Sequence, residues 1–113
     1  MGGAETLDLS GSLNGDWTFS GTGFLKAYRK KDVVTIRGAN LINNDSNMQY
    51  TALLPVGWRP ALNLSMPAGN TTDDNWAGVY ITTNGQIQLC SPTFATWYTK
   101  GKIYSFSVTF VTA

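Results

Sequence analysis

The chain has 113 residues, a length that fits a single domain able to bury its own hydrophobic core. Its formal net charge of +1 excludes the strongly basic surface on which binding to nucleic acids or anionic membranes depends. Charged residues make up only 13% of the chain, about half of the usual ~25%, so little of its surface carries charge.

Period-two alternation recurs along the chain, and no window has a sustained helical period. Residues 1–16 are taken as an N-terminal extension or the start of a fragment, within a single domain of residues 1–113, and residues 39–47 and 67–75 as two long loops. About eight short strands predict an all-β fold, an antiparallel β-sandwich or a jelly-roll-like barrel. In chain order the predicted strands are Trp17–Phe19, Phe24–Arg29, Val33–Ala39, Tyr50–Leu54, Ala61–Met66, Trp76–Thr82, Gln86–Cys90 and the C-terminal IYSFSVTFV.

The C-terminal strand has one apolar face and one face of small hydroxyls. Tyr104, Phe106, Val108 and Phe110 alternate with Ser105, Ser107 and Thr109. This alternation is typical of an antiparallel sheet with one buried face. The hydroxyl face lacks the Lys or Glu residues expected of a solvent face, so we expect a neighbouring chain to cover it.

The segments GVYIT and QIQLC predict a hairpin around Thr83-Asn84-Gly85. A two-residue turn would pair Ile81 with Gln88 and mix apolar with polar side chains. A three-residue loop pairs Ile81 with Ile87 and separates the two faces. We therefore predict a three-residue loop with Gly85 in the left-handed conformation.

The sequence offers little catalytic chemistry. It contains no histidine, which excludes Ser-His-Asp and Cys-His catalysis. Its single cysteine, Cys90, cannot form an internal disulfide and is predicted to be a buried small residue. Asp73 and Asp74 are the only adjacent carboxylates, and loop neighbours point apart, whereas a glycosidase needs two carboxyls facing one bond. We predict no enzymatic activity, no cofactor and no membrane insertion.

Aromatic and planar polar residues in irregular segments are candidates for saccharide binding, because a flat ring covers the C–H face of a sugar while polar groups bond its hydroxyls. Trp17 and Trp76 are instead predicted to lie in the core. A calcium site at the Asp73-Asp74 loop is an alternative to a solvated loop, although the spacing of a known calcium loop is missing. The predicted saccharide-binding residues are Trp58, Asn70, Asp73, Asp74, Asn75 and Trp97.

The stretch LLPVGWRPALNLSMP allows a second interpretation. Arg59 can bond loop carbonyls and hold the turn, with Trp58 as a hydrophobic lid. Under this interpretation Gly57, Arg59 and Pro60 form a structural turn, as Gly85 does in the hairpin. Residue types alone leave this interpretation open beside the saccharide-binding one.

Several motifs follow one another along the chain: Tyr28-Arg29-Lys30, Val33-Val34-Thr35-Ile36, Leu54-Pro55-x-Gly57-Trp58-Arg59-Pro60, Gly78-Val79-Tyr80-Ile81, Asn84-Gly85-x-Ile87-x-Leu89 and Tyr104-Ser105-Phe106. Taken in this order, they resemble the C-terminal head modules of receptor-binding and baseplate proteins from siphophages that infect Gram-positive bacteria. The resemblance covers about residues 24–111, and the Leu-Pro-x-Gly-aromatic-Arg-Pro element and the Asn-Gly hairpin are its main parts.

The resemblance implies a non-catalytic β head, usually a homotrimer, at the tail tip or baseplate of the virion. Such heads bind host cell-wall saccharide, often in clefts near subunit boundaries, and contact other tail proteins. It also implies that the Gly-aromatic-Arg-Pro element is a structural turn in which Trp58 is free to vary. The chain lacks the shoulder, neck coil or β-helix of full-length relatives, so we expect an excised head. The alternatives are a structural tail module with protein contacts only, a stand-alone lectin and, least favoured, an enzyme.

Overall fold

A computed structural model of the chain describes residues 5–14, 17–43, 50–70, 76–90 and 103–112. These residues form eight antiparallel strands and no helix, which confirms the predicted all-β class. Accordingly, the described part of the chain offers no helix with the length and apolar character to span a membrane. The strands are β1 Glu5–Asp8, β2 Trp17–Lys30, β3 Val33–Asn43, β4 Ala52–Leu53, β5 Leu64–Asn70, β6 Trp76–Ile81, β7 Gln86–Cys90 and β8 Ile103–Val111.

The strands form one sheet in the order β1-β2-β3-β8-β5-β6-β7-β4. The sheet curls into a half-barrel. Its two edge strands, β1 and β4, stand first and last in the strand order but therefore approach each other in space. Asn14, which follows β1, bridges the two edges: its backbone N–H donates to the Thr51 carbonyl at 2.8 Å and its Nδ2 donates to the Tyr50 carbonyl at 3.0 Å. The interior of the curl is therefore enclosed at this level.

The core fills the inner face of the curl, as the alternation of β8 predicted. Tyr104, Phe106, Val108 and Phe110 are all buried. Trp17, predicted to be a core residue, is also buried, with its ring centroid 6.0 Å from that of Tyr104. The side chains of Trp76 and Cys90, for which burial was also predicted, lie outside the described part of the chain.

The β6–β7 hairpin has the register predicted from its apolar pattern. Ile81 pairs with Ile87 and Val79 with Leu89. The loop is closed by the Gly85 N–H, which donates to the Thr82 carbonyl at 2.9 Å, and Gly85 has a φ of 90°. The prediction of a three-residue loop with a left-handed glycine is confirmed.

The boundaries of β2 and β3 differ from the prediction. The segments Trp17–Phe19 and Phe24–Arg29 belong to one long strand with a bulge between them, where Gly21 has a φ of 67°. β3 also continues through a bulge at Asn40, which has a φ of 56°, so the predicted loop 39–47 is wrong up to Asn43. Bulges interrupt the alternation that the prediction relied on, although the chain goes on pairing beyond them.

Other boundaries also differ from the prediction, and β4 covers only Ala52–Leu53 of the predicted Tyr50–Leu54. Leu62, assigned to a strand beginning at Ala61, is 73% exposed, and β5 begins only at Leu64. β5 then continues through Pro67, which was assigned to a loop. A proline is tolerated there because β5 pairs with β8 only at Gly69 and Asn70, beyond Pro67. In the N-terminal extension, the segment Glu5–Asp8 forms the edge strand β1.

The sheet has two distinct ends. At the turn end, β3 begins beside the end of β8, with Val33 opposite Val111, and the two-residue turn Lys31-Asp32 joins β2 to β3. The β6–β7 loop also lies at this end. At the loop end, β3 ends at Asn43 and β5 ends at Asn70. β8 begins at the same end, because Tyr104 near its start pairs with Asn70.

Candidate functional site

The segment between β4 and β5 starts with a tight turn at the turn end. The Trp58 N–H donates to the Pro55 carbonyl at 3.1 Å. Gly57, the third residue of this turn, has a φ of 95°. A positive φ at the third position is what a type II turn requires, and glycine adopts it without strain. The backbone geometry therefore accounts for glycine at this place in the Leu-Pro-x-Gly-Trp-Arg-Pro stretch.

Arg59 holds this segment against the neighbouring hairpin. Its Nε donates to the Leu54 carbonyl at 2.8 Å, and the Leu54 N–H donates to the Gly85 carbonyl at 2.8 Å. Pro60 then forms a bridge with Thr112 after β8. These contacts join β4, the β6–β7 loop and the end of β8 within a few residues, which is the geometry of a structural turn.

Trp58 is half-buried and packs against the hydrophobic core. Part of its ring therefore contributes to packing, as the interpretation of Trp58 as a lid requires. The remaining surface of the ring faces solvent beside the turn. Trp58 can consequently stabilise the turn and present limited aromatic surface at the same time.

Of the candidate saccharide-binding residues, the structure describes Trp58 and the backbone of Asn70, and these two do not lie close together. Pro60, two residues after Trp58, pairs at Thr112, whereas the Asn70 backbone pairs at Tyr104. At 3.3 Å per residue the two ends of β8 lie about 26 Å apart. One sugar ring cannot contact both Trp58 and Asn70 across that distance. Asp73, Asp74, Asn75, Trp97 and the side chain of Asn70 lie outside the described residues, so their roles and the calcium site stay predictions.

A groove of about 350 Å³ opens between the two edge strands of the curled sheet. One wall comes from β1 and the residues after it, and the other from β4 and the turn that follows. The first wall was not predicted from the sequence, because residues 1–16 were interpreted as an extension. The period-two pattern Thr6-Leu7-Asp8-Leu9 was the signal that could have revealed an edge strand there. The lining residues are Leu7, Asp8, Leu9, Ser12, Leu53, Leu54, Pro55 and Arg59.

One acidic and one basic residue, Asp8 and Arg59, are among the residues that line this groove, one on each wall. Hydrogen bonds from the backbone and side chain of Ser10 lower the pKa of Asp8, with a smaller contribution from Lys26, so Asp8 is charged at neutral pH. The Ser10 N–H lies 2.9 Å from Asp8 Oδ1. Arg59 uses its Nε for the Leu54 carbonyl, and its two terminal nitrogens have no partner among the described residues. The groove therefore combines apolar walls with two opposite charges.

The described residues contain no group of three Asp, Glu, Cys or His side chains close enough together to hold a metal ion. The residues that line the groove can form hydrogen bonds and apolar contacts. Carboxylate oxygens accept, guanidinium nitrogens donate, and leucine and proline surfaces contact C–H groups.

Comparison with known proteins finds a solved structure of similar fold. No protein-family model matches the chain, and no curated protein sequence is detectably similar to it. Among solved structures, it is similar to the head domain of the lactococcal phage bIL170, described with the receptor-binding domains of lactococcal phages, with a TM-score of 0.65 and 15% sequence identity. The similarity covers 90% of this chain and 94% of that domain. The resemblance to phage head modules is thereby confirmed at the level of the fold.

Proposed function

We propose that this chain is the receptor-binding head of a phage tail protein, carried on the virion at the tail tip or baseplate, and that it recognises host cell-wall saccharide during adsorption. The observation that carries the proposal is the similarity of fold to the phage bIL170 head domain over nearly the full length of both chains. Fold alone does not determine function, so the similarity supports the receptor-binding role, and the saccharide ligand is inferred from the surface chemistry.

The proposed head is a homotrimer, and the distribution of charge supports this assembly. The described strands β4 to β8 contain no charged residue, whereas β1, β2 and β3 contain Glu5, Asp8, Lys26, Arg29, Lys30 and Arg37. The exposed hydroxyl face of β8 lies in the uncharged half. Interface cores are depleted of charge, and a trimer multiplies weak sugar contacts into firm attachment.

Two measurements test the proposal. Light scattering should give a solution mass near three times the 12.3 kDa of the chain. Titration with soluble wall saccharide from Gram-positive bacteria, followed by calorimetry, should show saturable binding. A trimer that binds none of a broad set of wall saccharides contradicts the saccharide function. A monomer that binds saccharide instead supports a stand-alone lectin or a head whose trimer needs a preceding neck.

A second candidate function is a structural tail module that contacts only other tail proteins. Large apolar side chains exposed at the turn end favour it, because clustered apolar surface marks protein contacts. Val56 at the tip of the 55–58 turn is 82% exposed, and Val33 is exposed beside Val111. This candidate predicts that the chain binds purified tail proteins, and that substituting Val56 with Asp abolishes that binding while saccharide binding is absent throughout.

A further inference from the structure

The groove between β1 and β4 exists because the curled sheet does not close completely. β1 pairs only with β2, and β4 only with β7, among the described strands. Leu9 donates its N–H to the Leu25 carbonyl, so by antiparallel alternation Asp8 directs its backbone groups away from β2. Leu53 likewise lies between Thr51 and Leu54, whose backbone N–H groups donate to the carbonyls of Ile87 in β7 and of Gly85 just before β7. Two strand edges with outward-directed backbone groups therefore face the same opening.

The charges on the two walls limit the class of ligand. A phosphate would be attracted by Arg59 and repelled by Asp8, and an ammonium group would meet the reverse. A sugar hydroxyl suits both walls, because it donates a hydrogen bond to a carboxylate and accepts one from a guanidinium. Leu7 and Pro55 supply apolar surface for the C–H groups of a sugar ring.

The size of the groove limits the ligand further. A volume of about 350 Å³ lies at the lower end of the range for small-molecule sites. It suits one sugar ring rather than a long peptide strand. The walls are also held in place before binding: Asp8 is fixed by Ser10, and Arg59 by the Leu54 carbonyl. Preorganised side chains lose less entropy when a ligand binds.

We infer that the β1–β4 groove is a subsite for a single neutral sugar ring, with Asp8 and Arg59 bonding its hydroxyls from opposite walls and Ser12 at its rim. This inference rests on the proposed saccharide function. It places the ligand within one chain, on the side of the half-barrel, rather than among the residues at the loop end.

The test is a nuclear magnetic resonance titration of the ¹⁵N-labelled chain with glucose, galactose, rhamnose and N-acetylglucosamine, followed by a soluble wall saccharide. At least one sugar should shift the amide signals of Leu7, Asp8, Ser12 and Leu53. Asp8→Asn keeps the size of the side chain and its acceptor for Ser10, and should weaken binding roughly tenfold by removing a charge-assisted hydrogen bond. Asp32→Asn, in the exposed β2–β3 turn outside the groove, is the matched control and should bind as the native chain does.

The other outcomes separate the two proposals. Saccharide binding that shifts only amides outside the groove, or that Asp8→Asn leaves unchanged, overturns the groove subsite and leaves the saccharide function standing. A titration in which no saccharide shifts any amide overturns both. Groove signals that move with an extended peptide of alternating apolar residues, and not with sugars, overturn the subsite in favour of strand docking at the two edges.

Discussion

Gly85 occupies a backbone position that only glycine adopts at low energy, and its surroundings add a second restriction. Its φ is 90°, and a Cβ at this position would lie 2.5 Å from the Leu54 carbonyl oxygen and 2.7 Å from Arg59 Nε. Both neighbours belong to the contact that holds the 55–60 segment. A side chain at Gly85 would therefore disturb the same hydrogen bonds that position one wall of the groove.

Three glycine substitutions separate backbone strain from steric overlap. Gly11→Ala should change the free energy of unfolding by less than about 0.5 kcal/mol, because Gly11 has open space around it. Gly21→Ala should cost about 1–2 kcal/mol, because Gly21 has a φ of 67° and also has open space. Gly85→Ala combines strain with overlap and should cost about 3 kcal/mol. Urea denaturation of the three variants measures the order, and equal losses at Gly21 and Gly85 would contradict the account.

At the scale of elements, the segment from Pro55 to Pro60 explains the Trp-Arg pair of the sequence. Gly57 makes the turn, Arg59 bonds the Leu54 carbonyl and Pro60 meets the residue after β8. Trp58 packs against the core from the same segment. One short connection thus joins three parts of the sheet that are distant in the sequence, and it also forms part of the groove.

Arg59→Ala tests how strongly this connection stabilises the fold. Removing a part-buried hydrogen bond to a charged donor should lower the free energy of unfolding by about 1.5–3 kcal/mol. Arg37→Ala is the control, since Arg37 is exposed on the outer face of β3 and should change stability by less than about 0.5 kcal/mol. Both losses are read from urea denaturation. Equal effects of the two substitutions would show that the contact with Leu54 adds little.

Part of this element-scale organisation was predictable from the sequence. The β6–β7 register followed from a single rule, since only the three-residue loop keeps Ile81, Ile87, Val79 and Leu89 on one face. The bulges at Gly21 and Asn40 were not predictable, because a bulge breaks the alternation on which strand assignment depends. The groove was not predictable either, since its walls are about 45 residues apart in the chain and meet only because the sheet curls.

At the scale of the whole molecule, charge is segregated across the sheet. The described strands from β4 to β8 are uncharged, while β1 to β3 carry all the strand charges. Ser107 lies exposed on the outer face of β8, at the boundary of the uncharged half and opposite Arg37 on β3. We therefore expect the interface of the proposed trimer to be centred on this uncharged half.

Ser107→Glu tests that location. Buried at an interface, three added carboxylates should dissociate the trimer, whereas in the monomer the new side chain lies beside Arg37 and should leave folding intact. Thr6→Glu, an exposed position on the charged strand β1, is the matched control and should leave the mass unchanged. Light scattering over a dilution series measures both variants. A Ser107→Glu protein that keeps the mass of three chains would place the interface elsewhere.

The sequence by itself determined the all-β class, the inward face of β8 and the hairpin register, because each follows from alternation and turn chemistry within a few neighbouring residues. The fold similarity that the motifs implied is also confirmed over 90% of the chain. Only the tertiary structure decided that Trp58 and Asn70 lie at opposite ends of β8 and that Asp8 and Arg59 line one groove. Those relations depend on how eight strands are ordered and curled, and local sequence patterns carry no information about the distance between strands that are remote in the chain.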